Sequence, residues 1–197
     1  MTSESSTRLA ALLAIAWAGA LVVTASASAQ PLVRLVAGQS EIGFVSTQMG
    51  VPVEGRFARF ETQVALDPKA PESGRVVVAI DIGSAALGVA EVDAELPKPQ
   101  WFDTARFPQA RFESATIKAL GGGRFEVAGR LAIKGAARDV VVPVAIVQSG
   151  GVSTASGSFS IKRLDFRIGD GEWADTALVA NDVRIKFKLV LSGLPPL

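Results

Sequence analysis

The last regular run of the chain, "VRIKFKLVL", alternates without a break. Val183, Ile185, Phe187, Leu189 and Leu191 share one face, and Arg184, Lys186 and Lys188 occupy the other. Successive side chains of a strand point to opposite faces, so this run predicts a strand with one buried face and one wet face. "RFEVAGRLAIKG" repeats the pattern, with Phe125, Val127, Gly129, Leu131 and Ile133 in phase and Glu126, Arg130 and Lys134 among the opposite set. In "SEIGFVSTQ", Ile42 and Phe44 align with Ser46 and Gln48, so that face turns polar towards its end.

Further strands are predicted at 53–66, 75–82, 111–118, 140–148 and 156–168, separated by the turn clusters "DPKAPESG", "GGG" and "QSGG". Only Val89 to Leu96 carries a helical pattern, and Pro97 and Pro99 stop it. About eight antiparallel strands with one short helix predict an all-β fold, either a closed barrel or a sandwich. The interior of an eight-stranded barrel is either filled by side chains or just wide enough for one slender ligand. Inward positions here mix small or polar residues (Ser46, Gly55, Ser114, Gly129) with Phe44, Phe57, Leu131 and Phe187. That mixture fits a tapered solid core as well as a lined cavity.

Composition narrows the chemistry. The 197 residues favour one domain with a real core, and a net charge of +1 without long Lys/Arg runs argues against a nucleic-acid partner. Histidine, cysteine and tyrosine are absent, which removes the usual base, thiolate and zinc or haem ligands. Asp165, Asp170, Glu172 and Asp175 do not have the spacing of a calcium loop, and Asp170-Gly171 reads as a turn. No spacing identifies a catalytic carboxylate pair. The expectation is therefore no enzyme, with no catalytic residue, metal or resident cofactor assigned. Residues 1–29 read as a cleavable signal peptide, with Arg8, an apolar run from Leu9 to Val23 and the small residues Ala27 and Ala29 before Gln30. The remaining 30–197 form the expected domain, exported to the periplasm.

The segment "WFDTARFPQARFES" places Trp101, Phe102, Phe107 and Phe112 between the predicted helix and a strand. These aromatics either seal one end of the barrel or touch a ligand. Together with "GRFARFE", "GRLAIKGAARDVVVPV" and "FSIKRLDFRIGDGEWADTALVANDVRIKF", the segment resembles the YceI family across almost the whole mature chain. The resemblance implies an extended, lipocalin-like antiparallel barrel enclosing an elongated apolar channel for a polyisoprenoid chain. Relatives in which the module accompanies a membrane b-type cytochrome suggest quinone-like ligands and such a partner.

The expected apolar cavity is lined by Ile42, Phe44, Phe57, Trp101, Phe102, Phe107, Phe112, Leu131, Phe159, Phe166, Ile185 and Phe187. Gln48 stands where many family members carry histidine and is the candidate polar head-group contact. The function implied is a carrier for a polyisoprenoid or quinone-like lipid. Its rival is a non-catalytic module with a filled barrel that docks to a membrane redox partner.

Overall fold

The computed structural model describes residues 33–197. The signal-peptide expectation for 1–29 falls outside them. The strands are β1 (Arg34–Leu35), β2 (Glu41–Gln48), β3 (Val51–Phe57), β4 (Phe60–Ala65), β5 (Arg75–Asp81), β6 (Ala85–Ala86), β7 (Gln109–Gly121), β8 (Arg124–Ile133), β9 (Ala136–Ser149), β10 (Val152–Lys162) and β11 (Asp182–Ser192), with one helical turn, α1 (Ala90–Asp93).

All strands join one antiparallel sheet in the order β4-β5-β7-β8-β9-β10-β11-β2-β3-β6, and β1 pairs with the far end of β11. The two ends of this path are covalent neighbours. β3 runs into β4 across Ala58–Arg59, and β5 runs into β6 through a 3-10 turn at Ile82–Ser84. The sheet therefore curls back on itself through a bent hairpin, in which β4 pairs with β5 and β3 with β6. Counting each bent strand once, and setting aside the two-residue β1, eight staves surround the bore. The expected strand at 53–66 is thus one stave with a kink. Ser84 holds the kink: its hydroxyl accepts from the Arg59 backbone N–H at 3.0 Å and donates to the Asp81 carbonyl at 2.6 Å.

Three other expectations are adjusted. The predicted helix over Val89–Leu96 shrinks to one turn at Ala90–Asp93, because the Glu95 N–H bonds to the Val92 carbonyl, a tighter turn that takes over before Pro97, and further tight turns continue through Lys98 and Trp101. The predicted strand at 156–168 begins at Val152 and ends at Lys162, where a 3-10 turn over Arg163–Phe166 leads to Arg167 in the left-handed region at φ 55°. β7 carries an irregularity between Ser114 and Thr116, which moves the inward phase from Phe112 to Ile117.

The interior wall contains a repeated device. Phe44 faces Gly55 directly across β2 and β3, and Phe187 faces Gly157 across β11 and β10. Phe112 lies over Gly129 on the diagonal between β7 and β8. A methyl at Gly55 would overlap the Phe44 ring, one at Gly157 would come within 2.7 Å of Phe187 Cζ, and one at Gly129 would stand 2.8 Å from the Phe112 ring. Each ring is therefore laid along the wall over a glycine instead of standing across the bore. Gly157→Ala is expected to lower stability by about 1–3 kcal/mol in urea unfolding, as overpacking does. Gly38→Ala, where nothing lies within 4 Å, should be neutral or slightly stabilising.

Candidate binding cavity

An elongated cavity of about 460 Å³ occupies the bore. Every stave contributes to its wall, because each strand turns alternate residues inward. The lining runs from Gln48 on β2, Glu91 and Trp173 at one end to Leu66 and Leu194 at the other. Two buried apolar clusters meet along it. One is centred on Ile117, Phe125, Ile146 and Leu189 at the deep end, and the other on Leu96, Phe102, Leu131 and Ile161 nearer the helix.

Most of the sequence-predicted residues converge on this space. Ile42, Phe44, Phe57, Trp101, Phe102, Phe112, Leu131, Phe159, Ile185 and Phe187 all line the cavity, and so does Gln48. Phe57 bridges the rings, 5.4 Å from Phe44 and 6.5 Å from Phe102. The expectation is corrected at two positions. Phe107 precedes β7, where no strand alternation governs facing, and its ring lies against Gly135 with the Arg106 guanidinium 5.2 Å from its centre. Phe166, 1% exposed, lies in the 3-10 turn after β10, so it packs within the apolar cluster near the helix without reaching the bore. The segment 101–114 accordingly divides its aromatics: Trp101, Phe102 and Phe112 form cavity wall, and Phe107 is packing outside it.

The sequence-predicted lining holds nine aromatics and three aliphatics, Ile42, Leu131 and Ile185, and leaves out much of the aliphatic wall. Val127, Val142, Ile146, Val183 and Leu189 line the cavity too, and their strand phase could have identified them. Glu91, Val92, Glu95, Arg163 and Trp173 at the open end carried no such signal. They reach the cavity from turns and from the segment that follows β10.

That segment, 163–181, is organised by one side chain. Arg163 is 2% exposed and spends all five of its N–H donors on backbone carbonyls. Nε donates to Ala180, one terminal nitrogen to Ile168 and Gly169, and the other to Trp173 and Val179, at 2.7 to 3.1 Å. Burial pushes this guanidinium below its ordinary pKa, and nearby Asp170 offsets part of that shift. The carbonyl cage solvates the charge in place of water and gathers the ends of the segment around one point. Gly169 is required there twice over. Its φ of 75° suits glycine, and a Cβ would meet both the guanidinium and Trp101. Trp173 then packs against Trp101, the rings tilted at 41° with centres 5.5 Å apart, and Lys134, just after β8, ties the same segment to the barrel through the Arg167 carbonyl and Asp170.

An antiparallel barrel with an apolar bore, opening beside a short helix and a pinned end segment, defines a lipocalin-like fold. The chain belongs to the YceI-like domain family, whose model matches residues 34–191. It is 42% identical to BcnA of Burkholderia cenocepacia, whose crystal structure superposes with a TM-score of 0.77 over 79% of this chain and 98% of that one. A UPF0312 protein of Shewanella denitrificans is 29% identical over 140 residues, 71% of this chain and 73% of the relative. A polyisoprenoid binding domain from Saccharophagus degradans shares the fold at 19% identity and a TM-score of 0.64, over 84% of this chain and 99% of that domain.

Arg163→Lys offers three donors to a cage built for five. Each of the two buried carbonyls left without a donor costs about 1–3 kcal/mol, so the variant should unfold at lower urea by an amount equivalent to about 2–6 kcal/mol. Its near-ultraviolet circular dichroism should also lose the signal of the Trp101–Trp173 pair.

Proposed function

We propose that this protein is a non-catalytic periplasmic carrier that holds a polyisoprenoid or quinone-like lipid in its bore. The observation that carries the reading is the continuous apolar lining from Trp101 to Leu194 around an open volume of about 460 Å³. Membership of the YceI-like family supports it, as does the fold shared with a domain whose ligand is a polyisoprenoid. An open bore also weighs against the rival reading of a filled barrel acting only as a docking module.

Apolar transfer supplies the affinity. Each buried CH2-sized unit contributes roughly 0.8 kcal/mol, so a few isoprene units exceed what measured affinities use once ordering costs are met. Chain length then matters more to binding strength than hydrogen bonds do. A quinone-like head group and delivery to a membrane b-type cytochrome belong to the same proposal. So does export, with residues 1–29 acting as the signal.

Mass spectrometry of an organic extract from freshly purified protein should show one stoichiometric prenyl lipid, retained through washing at about 1 M salt because screening acts on exposed charges. Recovery of lipid-free protein from cells that make such lipids would overturn the carrier reading. Leu131→Trp puts extra volume into the cavity wall and should reduce lipid occupancy more than thermal stability of the delipidated protein. A variant that melts far lower yet keeps its full lipid complement would place Leu131 in a solid core.

Export makes a separate prediction. The secreted form should begin at Gln30 by N-terminal sequencing. An unprocessed chain in the inner-membrane fraction would sink the periplasmic assignment.

A further inference from the structure

Resting on the lipid-carrier reading, we infer that the open end of the bore selects prenyl lipids by head-group charge, admitting an uncharged hydroxyl or carbonyl head and excluding a prenyl phosphate. Among the described residues, the charged ones of the lining are Glu91, Glu95 and Arg163, and all three lie at the end beside α1 and the turn after β10. The deep end, around Ile117, Ile146, Leu189 and Leu194, is apolar. An amphipathic ligand therefore lies with its tail deep and its head at the charged end, since the reverse pose would bury a polar head among aliphatic side chains.

Among the described residues, the lining offers a phosphate at that end no cation free to receive it. Arg163 is the one basic lining residue among those described, and its five donors are committed to the carbonyls of Ile168, Gly169, Trp173, Val179 and Ala180. Releasing any of them would orphan a carbonyl of the cage. The acidic lining residues act against an anion directly. Glu91 is exposed, and Glu95 is half-buried and paired with Lys98, which offsets part of its charge. Like charges brought together at the edge of an apolar cavity suppress the wrong partner. Uncharged heads meet different groups, the Ser46 hydroxyl and the Gln48 amide, two residues apart on the inward face of β2 at the same end.

Geranylgeraniol and geranylgeranyl phosphate share a tail and differ only at the head. Titrations of the delipidated full mature protein, read by the fluorescence of Trp101 and Trp173 at low ionic strength, give the affinity ratio of alcohol to phosphate. The ratio should favour the alcohol by at least about tenfold. In Glu91→Gln/Glu95→Gln it should fall several-fold towards the phosphate. In Lys98→Gln, which uncovers the Glu95 charge, it should rise. Glu91→Gln alone, at an exposed position, should give a smaller fall and serves should the double variant fold poorly. Glu126→Gln, on the outer face of β8, should leave the ratio unchanged.

Equal or tighter binding of the phosphate by wild type would overturn the inference while leaving the carrier reading standing. So would a ratio that does not move in the Glu91 and Glu95 variants. Binding of neither compound would overturn both.

Discussion

Closure of the antiparallel ladder is the constraint on which the rest of this molecule depends. Once β3–β4 and β5–β6 bend together and return the sheet to itself, every stave has a definite inside, and strand alternation sends one residue in two towards it. Apolar side chains from all directions then share a single core, but the circumference of eight staves is generous for them. A solid interior would need large residues standing across the bore. Instead, three phenylalanines lie along the wall over Gly55, Gly129 and Gly157, which leaves the axis open. The cavity is thus a consequence of ring orientation and glycine placement as much as of hydrophobic content.

The two ends of the barrel solve different problems. At the deep end, hairpins and the C-terminal segment cover the wall, and Gln148 ties that segment down by donating to the Pro195 carbonyl and accepting from the Leu197 N–H. At the open end, a long connection between β10 and β11 crosses the mouth, tied to the end of β2 by a short bridge between Val179 and Gln48. Arg163 takes the place of a ladder there, collecting five carbonyls that would otherwise face each other or apolar side chains. A buried charge without a carboxylate partner is costly in general, yet this one is fully hydrogen-bonded, so its solvation is supplied by backbone dipoles. The same arrangement builds the mouth and withdraws its cation from ligand chemistry.

The proposed binding and selection are therefore separable in this architecture. The aliphatic and aromatic wall offers an undirected attraction that grows with the apolar surface it covers. In the proposed function, direction and choice fall to the few polar residues at one end: Ser46 and Gln48 on β2, Glu91 and Glu95 around α1. Substitutions in the two sets should act on different observables, tail-dependent affinity for the first and head-group preference for the second.

Much of the wall was legible in the chain itself. Period-two alternation in 41–48, 124–133 and 182–192 is local, so it located Ile42, Phe44, Leu131, Ile185 and Phe187 on the inward face without knowledge of their neighbours. Wherever a segment leaves regular strand geometry, that rule lapses. Phe107 and Phe166 sit in such segments and turned out to pack beside the bore, and the bulge after Ser114 reset the phase that Ile117 inherits. Whether the interior is filled or open was undecided by pattern, because the pairing of Phe44 with Gly55 and of Phe187 with Gly157 is a matter of register between strands. The Arg163 cage was equally invisible, since its acceptors are backbone carbonyls, which every residue carries and no sequence distinguishes. Local chemistry determines which face of a strand is apolar; only the closed sheet and its end segment decide what that face surrounds.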